Sequence, residues 1–158
     1  MHSRESILDI LPDAERILRR EVDDPPYDKV AISIFDRWLG DDLHLLDCRD
    51  QAERETRNRR LLAHWARVYD ETEVFVLNSE GVLASASDRE AFLIECGYDP
   101  DKTSDRFQFV VLPEFKALYH EYWDDTNVLW YADRTAIAPM LDWARECDLH
   151  VVEYDASS

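Results

Sequence analysis

The chain has 158 residues, and its 35 Asp and Glu residues outnumber its 18 Lys and Arg residues, so the formal net charge is −17 at pH 7. A surface this negative repels nucleic acid and anionic lipid, and it attracts basic partners. Hydrophobic residues make up 46% of the chain and include five Trp, seven Tyr and six Phe, which is typical of a folded protein and not of an acidic disordered tail.

The length predicts a single globular domain that spans residues 1–158. Only three glycines occur, so a phosphate-binding loop is hard to build, and we expect no nucleotide or other cofactor. Three widely spaced cysteines and the lack of an apolar signal segment after Met1 favour a cytoplasmic protein with reduced thiols. No run approaches the roughly 18 apolar residues of a membrane span, so we expect no membrane attachment.

The first segment contains one apolar stripe of helical spacing. Its members lie three or four positions apart and are Ile7, Ile10, Leu11, Ala14, Ile17 and Leu18. Ser3 is a suitable N-cap for this helix. Pro12 interrupts the stripe, so the segment is either one kinked helix or a turn followed by a helix that begins at Pro12. Pro25 and Pro26 end it.

Residues 29–39 fit two periods. Val30, Ile32 and Ile34 alternate as in a strand, whereas a helical repeat also accounts for Trp38 and Leu39. Gly40 follows at the position that a helix C-cap favours. We therefore predict a helix over residues 29–39.

Residues 49–69 form the clearest predicted helix, with an apolar face in the second half and a first half that is almost wholly charged. The segment has a net charge of +3, whereas the parts of the chain before and after it carry −6 and −14. Its arginines, including Arg54, Arg57, Arg59 and Arg60, could bind a phosphate or an acidic surface. The preferred interpretation is that they form ion pairs with surrounding acids of the same chain.

The second half has the pattern of short strands. Residues 74–77 and 82–86 flank a four-residue hairpin signal, and a short helix over 88–96 follows. Three further strands are predicted over 107–112, 117–122 and 127–131, then a helix from about residue 133 and a last strand over 150–154. The chain is therefore predicted to be α+β, with a helical N-terminal half followed by a mostly antiparallel sheet and a C-terminal helix and strand.

Motifs for catalysis and metal binding are weak. The best Cys and His pairs lack the further ligands of a zinc site, and the loop 99–105 lacks the glycine and the glutamate of a calcium loop. We expect structural or exposed roles for His64 and His120. Adjacent acids at Asp124 and Asp125 are expected in a solvated turn. We therefore assign no catalytic residue and no metal ligand, and expect that the protein is not an enzyme.

Residues 118–131 combine large aromatic rings with three acids. Tyr and Trp provide contact area with few rotamers to order, and carboxylates attract Arg and Lys side chains. One interpretation is a contact surface for a basic protein, and the other is a sheet with an aromatic face in the core and acids at the turn. The predicted partner-binding residues are Tyr119, Glu121, Tyr122, Trp123, Asp124, Asp125 and Trp130.

These features favour a small binding protein that neutralises a basic partner. A nuclease must present positive charge to its substrate, so an immunity protein or antitoxin against a bacterial toxin such as a nuclease is the leading hypothesis. Two alternatives remain open: a DNA mimic that inhibits a DNA-binding protein, and an enzyme that acts on a cationic small molecule. The sequence leaves the oligomeric state open, and the acidic bias also fits solubility or adaptation to salt.

Overall fold

The computed structural model describes residues 1–122 and 124–154, and its centre is a seven-stranded antiparallel sheet. The strands lie in the order β3-β2-β4-β5-β6-β1-β7. They are β1 (Asp28–Ser33), β2 (Phe75–Leu77), β3 (Leu83–Ser85), β4 (Phe109–Leu112), β5 (Ala117–Glu121), β6 (Thr126–Tyr131) and β7 (His150–Glu153). The helices are α1 (Arg4–Ile10), α2 (Ala14–Leu18), α3 (Gln51–Glu71), α4 (Arg89–Cys96) and α5 (Ala138–Glu146).

Helices cover both faces of the sheet. On one face the apolar stripe of α1 and α2 packs on side chains such as Leu118, Val128 and Trp130. On the other face α3, α4 and α5 pack on the alternate positions of the same strands, such as Tyr119 and Leu129. The central strands are therefore buried on both faces, which is why their sequences show little alternation of polar and apolar residues.

The predicted fold class is confirmed, and so are most of its elements. Ser3 caps α1 through a capping box, and the break near Pro12 separates two helices instead of kinking one. The hairpin, the three-stranded meander, α5 and the last strand all occur where the sequence predicts them, within a few residues. Among the described residues, no helix is long and apolar enough to cross a membrane.

The helix predicted over residues 29–39 is wrong. Residues Asp28–Ser33 form β1, which lies between β6 and β7 and pairs with both. Val30 and Ile32 point to one apolar layer and Ala31 to the other face, so the period of two was the correct one. The helical alternative needed Trp38 in the core, but that side chain is 45% exposed.

Glu15 of α2 accepts a hydrogen bond from the backbone of the sheet's edge strand β3. Its Oε2 atom accepts the Leu83 backbone N–H of edge strand β3 at 2.9 Å, and Arg4 donates to both oxygens at 2.7 and 3.1 Å. The bond from Arg4 lowers the pKa of Glu15 although burial opposes it. An unpaired edge N–H is a site for unwanted strand pairing, and this carboxylate occupies it.

Replacing Glu15 by Ala is therefore expected to lower the free energy of unfolding by about 2 kcal/mol, because a backbone N–H beside the core loses a charged acceptor. Urea denaturation followed by tryptophan fluorescence measures this change. Glu5→Ala removes an exposed carboxylate from α1 and is the control. Equal midpoints for the two variants would show that the Glu15 contact with β3 contributes nothing.

Candidate functional site

The turn between β5 and β6 lies at one end of the sheet, and a cavity adjoins it on each side. Asp125 and Asn127 line a cavity of about 220 Å³ on the face covered by α3, which we call the charged cavity. Asp124 and Thr126 line a cavity of about 160 Å³ on the other face, which we call the Asp124 slot. The two adjacent aspartates belong to the turn, and its backbone places them in different surroundings.

Asp125 is buried in an ion cluster with two arginines of α3. Its Oδ1 lies 2.6 Å from Arg54 Nη1, and its Oδ2 lies 3.1 Å from Arg57 Nη1. Arg57 also donates to Glu53 at 2.9 Å. Asp125 has a left-handed backbone with φ of 54°, a conformation that Asp tolerates better than most residues. The expectation of a solvated turn is therefore wrong for Asp125, which joins the turn to α3.

The preferred interpretation of the Arg-rich helix agrees with this cluster. Ion pairs to acids of the same chain are formed by Arg49, Arg54, Arg57 and Arg67. In residues 1–122 and 124–154, Arg59 and Arg60 have no such pair. Most arginines of α3 therefore form ion pairs with acids of the same chain.

A second ion pair lines the charged cavity. Lys102 Nζ lies 3.1 Å from both oxygens of Glu121 and also donates to the carbonyls of Glu95 and Gly97 at 2.6 and 2.9 Å. Glu121 further accepts the backbone N–H of Gln108 at 3.0 Å. Burial raises the pKa of Glu121, although these bonds oppose the rise. Of the three acids that line the cavity, Glu121 and Asp125 therefore already bind cations of the protein, and the partly exposed Asp99 lies 3.8 Å from Arg106.

A chain of buried hydrogen bonds runs from the charged cavity to α5. Burial lowers the pKa of His64 to about 4, so its ring is neutral at pH 7. The Met140 carbonyl can only accept, so His64 Nε2 carries the proton and donates at 3.1 Å. His64 Nδ1 then accepts from the Tyr119 hydroxyl at 2.7 Å, and Tyr119 accepts from Asn127 Nδ2 at 3.0 Å. Every member has a partner, which is typical of a structural network.

The Asp124 slot has a different character, because most of its wall is apolar. Its walls are Phe35, Trp38, Leu39, Leu43, Leu46 and Val152, and its polar lining includes Ser33, Arg37, Asp124 and Thr126. Trp38 Nε1 donates to the Glu153 carbonyl at 2.9 Å, which fixes the indole at the rim. Trp38 is 45% exposed and Leu43 is 59% exposed, so the slot opens onto an apolar surface.

Asp124 places a carboxylate in this apolar slot. Its Oδ1 atom is buried and has no hydrogen-bond partner among the described residues. Burial raises the pKa of Asp124, and the neighbouring charge of Asp125 acts in the same direction. The nearby Arg37 pairs with Asp36 and Asp42 instead, at 3.1 and 3.0 Å. The slot therefore contains an acid with which no cation of the described chain pairs, so it suits a cation of another molecule.

The predicted partner-binding residues divide into four groups. Tyr119 and Trp130 are 0% and 7% exposed and belong to the core, so they have no surface to offer to a partner. Asp125 is buried with its two arginines, whereas Glu121, Tyr122 and Asp124 are half-buried at the cavities. Trp123 lies outside the described residues. A partner-binding role stays a prediction for Glu121, Tyr122 and Asp124, and the geometry favours Asp124.

The sequence analysis missed the wall of the slot. Trp38 and Leu43 were either placed in a helix or left without a role, although both lie in the part of the chain just after β1. The signal that could have identified them is the run of large apolar residues among acids at positions 35–46. Large apolar residues that stay exposed on a segment after a strand, here partly in the 3-10 helix Gly40–Leu46, often mark a contact surface.

The described residues contain no group of three or more His, Cys, Asp or Glu side chains arranged to hold a metal ion. Cys96 lines the charged cavity, but burial raises its pKa strongly, so the thiol is a poor nucleophile. Comparison with models of protein families, with curated proteins and with solved structures finds no match. The function must therefore be inferred from the cavities and the charge.

Proposed function

We propose that this protein binds and neutralises a basic protein, as an immunity protein or antitoxin does with a bacterial toxin such as a nuclease. The observation that carries the proposal is the Asp124 carboxylate in an apolar slot, with one oxygen unpartnered in the described chain. A cationic side chain is the group that would satisfy it. The net charge of −17 supports a basic partner independently.

The slot fits one Arg or Lys side chain of the partner. Such side chains lay an aliphatic stem on apolar surface and keep a charged head. Leu39, Leu43 and Leu46 provide the aliphatic wall, and Phe35 and Trp38 provide aromatic faces for a cation. The head group would then form a charge-assisted bond with Asp124 at the wall of the slot. Exposed Trp38 and Leu43 would surround this contact and exclude water.

The charge of the whole molecule acts at longer range. A field of this sign steers a basic protein toward the slot and raises the association rate, while salt screens the effect. We therefore expect the affinity to fall as the ionic strength rises from low to physiological values. An affinity that does not change over this range would contradict steering by charge.

The test is capture of the partner from lysate of the source organism at low salt, with matched variants. Wild type and Asp9→Asn, which removes an exposed charge from α1, are expected to retain the same stoichiometric basic protein. Asp124→Asn removes the same charge from the slot and should weaken binding by at least about 30-fold.

A second pair of variants tests the apolar wall of the slot. Leu43→Ala should weaken binding, whereas Ile94→Ala, at a similarly exposed apolar position on α4, should not. The purified partner's activity must then be inhibited by wild type.

The stability of Asp124→Asn separates binding from folding. The Oδ1 atom of its carboxylate is buried without a partner in the described chain, so the amide should leave the free energy of unfolding unchanged or raise it. Retention of the partner by Asp124→Asn with wild-type affinity would overturn the slot as the binding site. Retention of many DNA-binding proteins would favour the alternative of a DNA mimic, which needs a broad acidic face and no single slot.

The alternative of an enzyme for a cationic small molecule has less support. The charged cavity is concave and contains Glu121, an acid with a raised pKa, as such an enzyme requires. All three of its acids pair with cations of the chain, however. Glu121 pairs with Lys102, Asp125 with Arg54 and Arg57, and the more exposed Asp99 lies 3.8 Å from Arg106, so a small cation would have to displace a cation of the protein.

A further inference from the structure

A third cavity, of about 190 Å³, lies on the face of the sheet covered by α2, and it shares Tyr122 with the charged cavity. Its wall combines three aromatic side chains with aliphatic ones. We call it the His120 cavity, and its main lining residues are Ile17, Val22, Phe109, His120, Tyr122 and Trp130. No residue of this cavity contributes to the Asp124 slot.

His120 is the buried polar group of this cavity, which the exposed Arg20 and Asp23 also line. The side chain is 8% exposed, and its two ring nitrogens are buried without a hydrogen-bond partner in residues 1–122 and 124–154. One face of the imidazole stacks on Phe109, with ring centroids 4.0 Å apart and planes 10° apart, and Tyr122 lies 4.6 Å away. The neutral ring must present one donor and one acceptor, and the described chain satisfies neither.

His64 provides the comparison within the same fold. It is fully buried, on the other face of the sheet, and both of its nitrogens are bonded. Buried polar groups in native proteins are satisfied with few exceptions, and an exception that adjoins a cavity needs an explanation. A Phe or Leu at position 120 would also pack on this aromatic face, and it would leave no buried nitrogen without a hydrogen bond. His120 lines the cavity, so a polar group of a molecule bound there is the partner that its nitrogens lack.

The wall defines the chemistry of that molecule. Aromatic and aliphatic side chains favour a flat apolar body, and apolar cavities of about 150 Å³ hold a benzene ring, so the size fits one ring system. Arg20 and Asp23 line the cavity with opposite charges, so the local charge favours neither a cation nor an anion. Burial lowers the pKa of His120, and the charge of Arg20 acts in the same direction. Arg20 Nη2 already donates to the Ser104 and Phe107 carbonyls at 3.1 and 3.2 Å, so Arg20 is held in place. The net charge of −17 disfavours an anion.

We propose that the His120 cavity binds a small neutral aromatic molecule whose hydroxyl or N–H group hydrogen-bonds to the imidazole of His120. Phe109, Tyr122 and Trp130 contact its ring, and His120 selects for its polar group. This site is independent of the Asp124 slot, because it lies in a different cavity and needs no protein partner.

Phenol and toluene are the probes, because they have nearly the same shape and differ in one hydroxyl group. Titration of the isotope-labelled full chain by NMR is expected to shift resonances of the cavity residues and not those around Trp38. Wild type should bind phenol about three- to tenfold more tightly than toluene, the value of one neutral hydrogen bond. His120→Phe keeps an aromatic ring but removes both nitrogens, and should bind the two probes equally. Val22→Phe fills the cavity without altering His120, and it should weaken the binding of both probes.

Three results would overturn the proposal. They are no binding of either probe at its solubility limit, equal affinity for both probes in wild type, and an unchanged preference for phenol in His120→Phe. Folding of the variants is checked by their amide spectra. None of these results bears on capture of a basic protein by the Asp124 slot, so failure of one proposal is distinguishable from failure of the other.

Discussion

Asp125→Asn is expected to lower the free energy of unfolding by about 3 to 5 kcal/mol, the range for removing one partner of a buried ion pair. The substitution leaves Arg54 and Arg57 facing an amide instead of a carboxylate that lies 2.6 and 3.1 Å from their Nη1 atoms. Asn also tolerates the left-handed backbone at this position, so the change isolates the charge from backbone strain. Urea denaturation measures the loss, and an unchanged slope with denaturant concentration would show that unfolding stays two-state.

Two controls test whether the loss comes from the unpaired cations. Asp70→Asn breaks an exposed pair, in which Arg89 donates to both carboxylate oxygens at 2.8 and 2.9 Å, and should leave the midpoint unchanged. Adding Arg57→Met to Asp125→Asn should recover part of the loss, because one uncompensated cation is removed. No recovery in the double variant would mean that the carboxylate acts by shaping the turn and not by its charge.

The behaviour of Asp125 shows what the sequence could and could not predict. The positive segment in an acidic chain correctly indicated ion pairs within the molecule. The partner could not be identified, because Arg54 and Arg57 are 71 and 68 positions away and meet Asp125 only when α3 packs on the sheet. Asp124, the preceding residue, lines the other cavity, a difference that depends on the backbone conformation of the turn and not on composition.

The elements that the sequence predicted well have local signals. The hairpin between β2 and β3 has turn residues between two short apolar runs, and α1 has a capping residue and a stripe. Residues 29–39 had two competing periods, and pairing of β1 with β6 and β7, more than 90 residues away along the chain, decided between them. The aromatic segment 118–131 was ambiguous for a related reason. Tyr119 and Trp130 face opposite helical layers. Because the segment is buried on both faces, it is rich in aromatic residues, and a contact surface has the same composition.

Acidification from pH 7 to pH 5 is expected to lower the free energy of unfolding by about 4 kcal/mol through the two buried histidines, about 2 kcal/mol from each. Burial lowers the pKa of His64 to about 4 and that of His120 to about 3, whereas a histidine of the unfolded chain titrates near pH 6.5. Between these values the unfolded chain binds protons that the folded chain excludes. Stability is therefore complete above pH 6.5 and falls as the pH drops toward about 4 for His64 and about 3 for His120.

Other groups oppose this loss of stability on acidification. Burial raises the pKa of Glu121 and of Asp124, so these acids bind protons more readily in the folded chain. Loss of negative charge in acid also reduces repulsion within a molecule of net charge −17. The contribution of each histidine is therefore measured as a difference between wild type and a variant, from urea denaturation at pH 7 and at pH 5. An equal loss on acidification in wild type and His120→Phe would contradict the assignment to His120.

The two histidines should differ at pH 7 although they behave alike in acid. His64→Phe leaves the Met140 carbonyl and the Tyr119 hydroxyl without their bonds, so it should lower the free energy of unfolding by about 2 kcal/mol or more. His120→Phe breaks no hydrogen bond within the described residues and should leave stability at pH 7 unchanged or higher. Both variants should reduce the loss between pH 7 and pH 5 by about 2 kcal/mol. A stability cost at pH 7 for His120→Phe as large as that for His64→Phe would mean that the imidazole of His120 has a structural partner and is not free for a ligand.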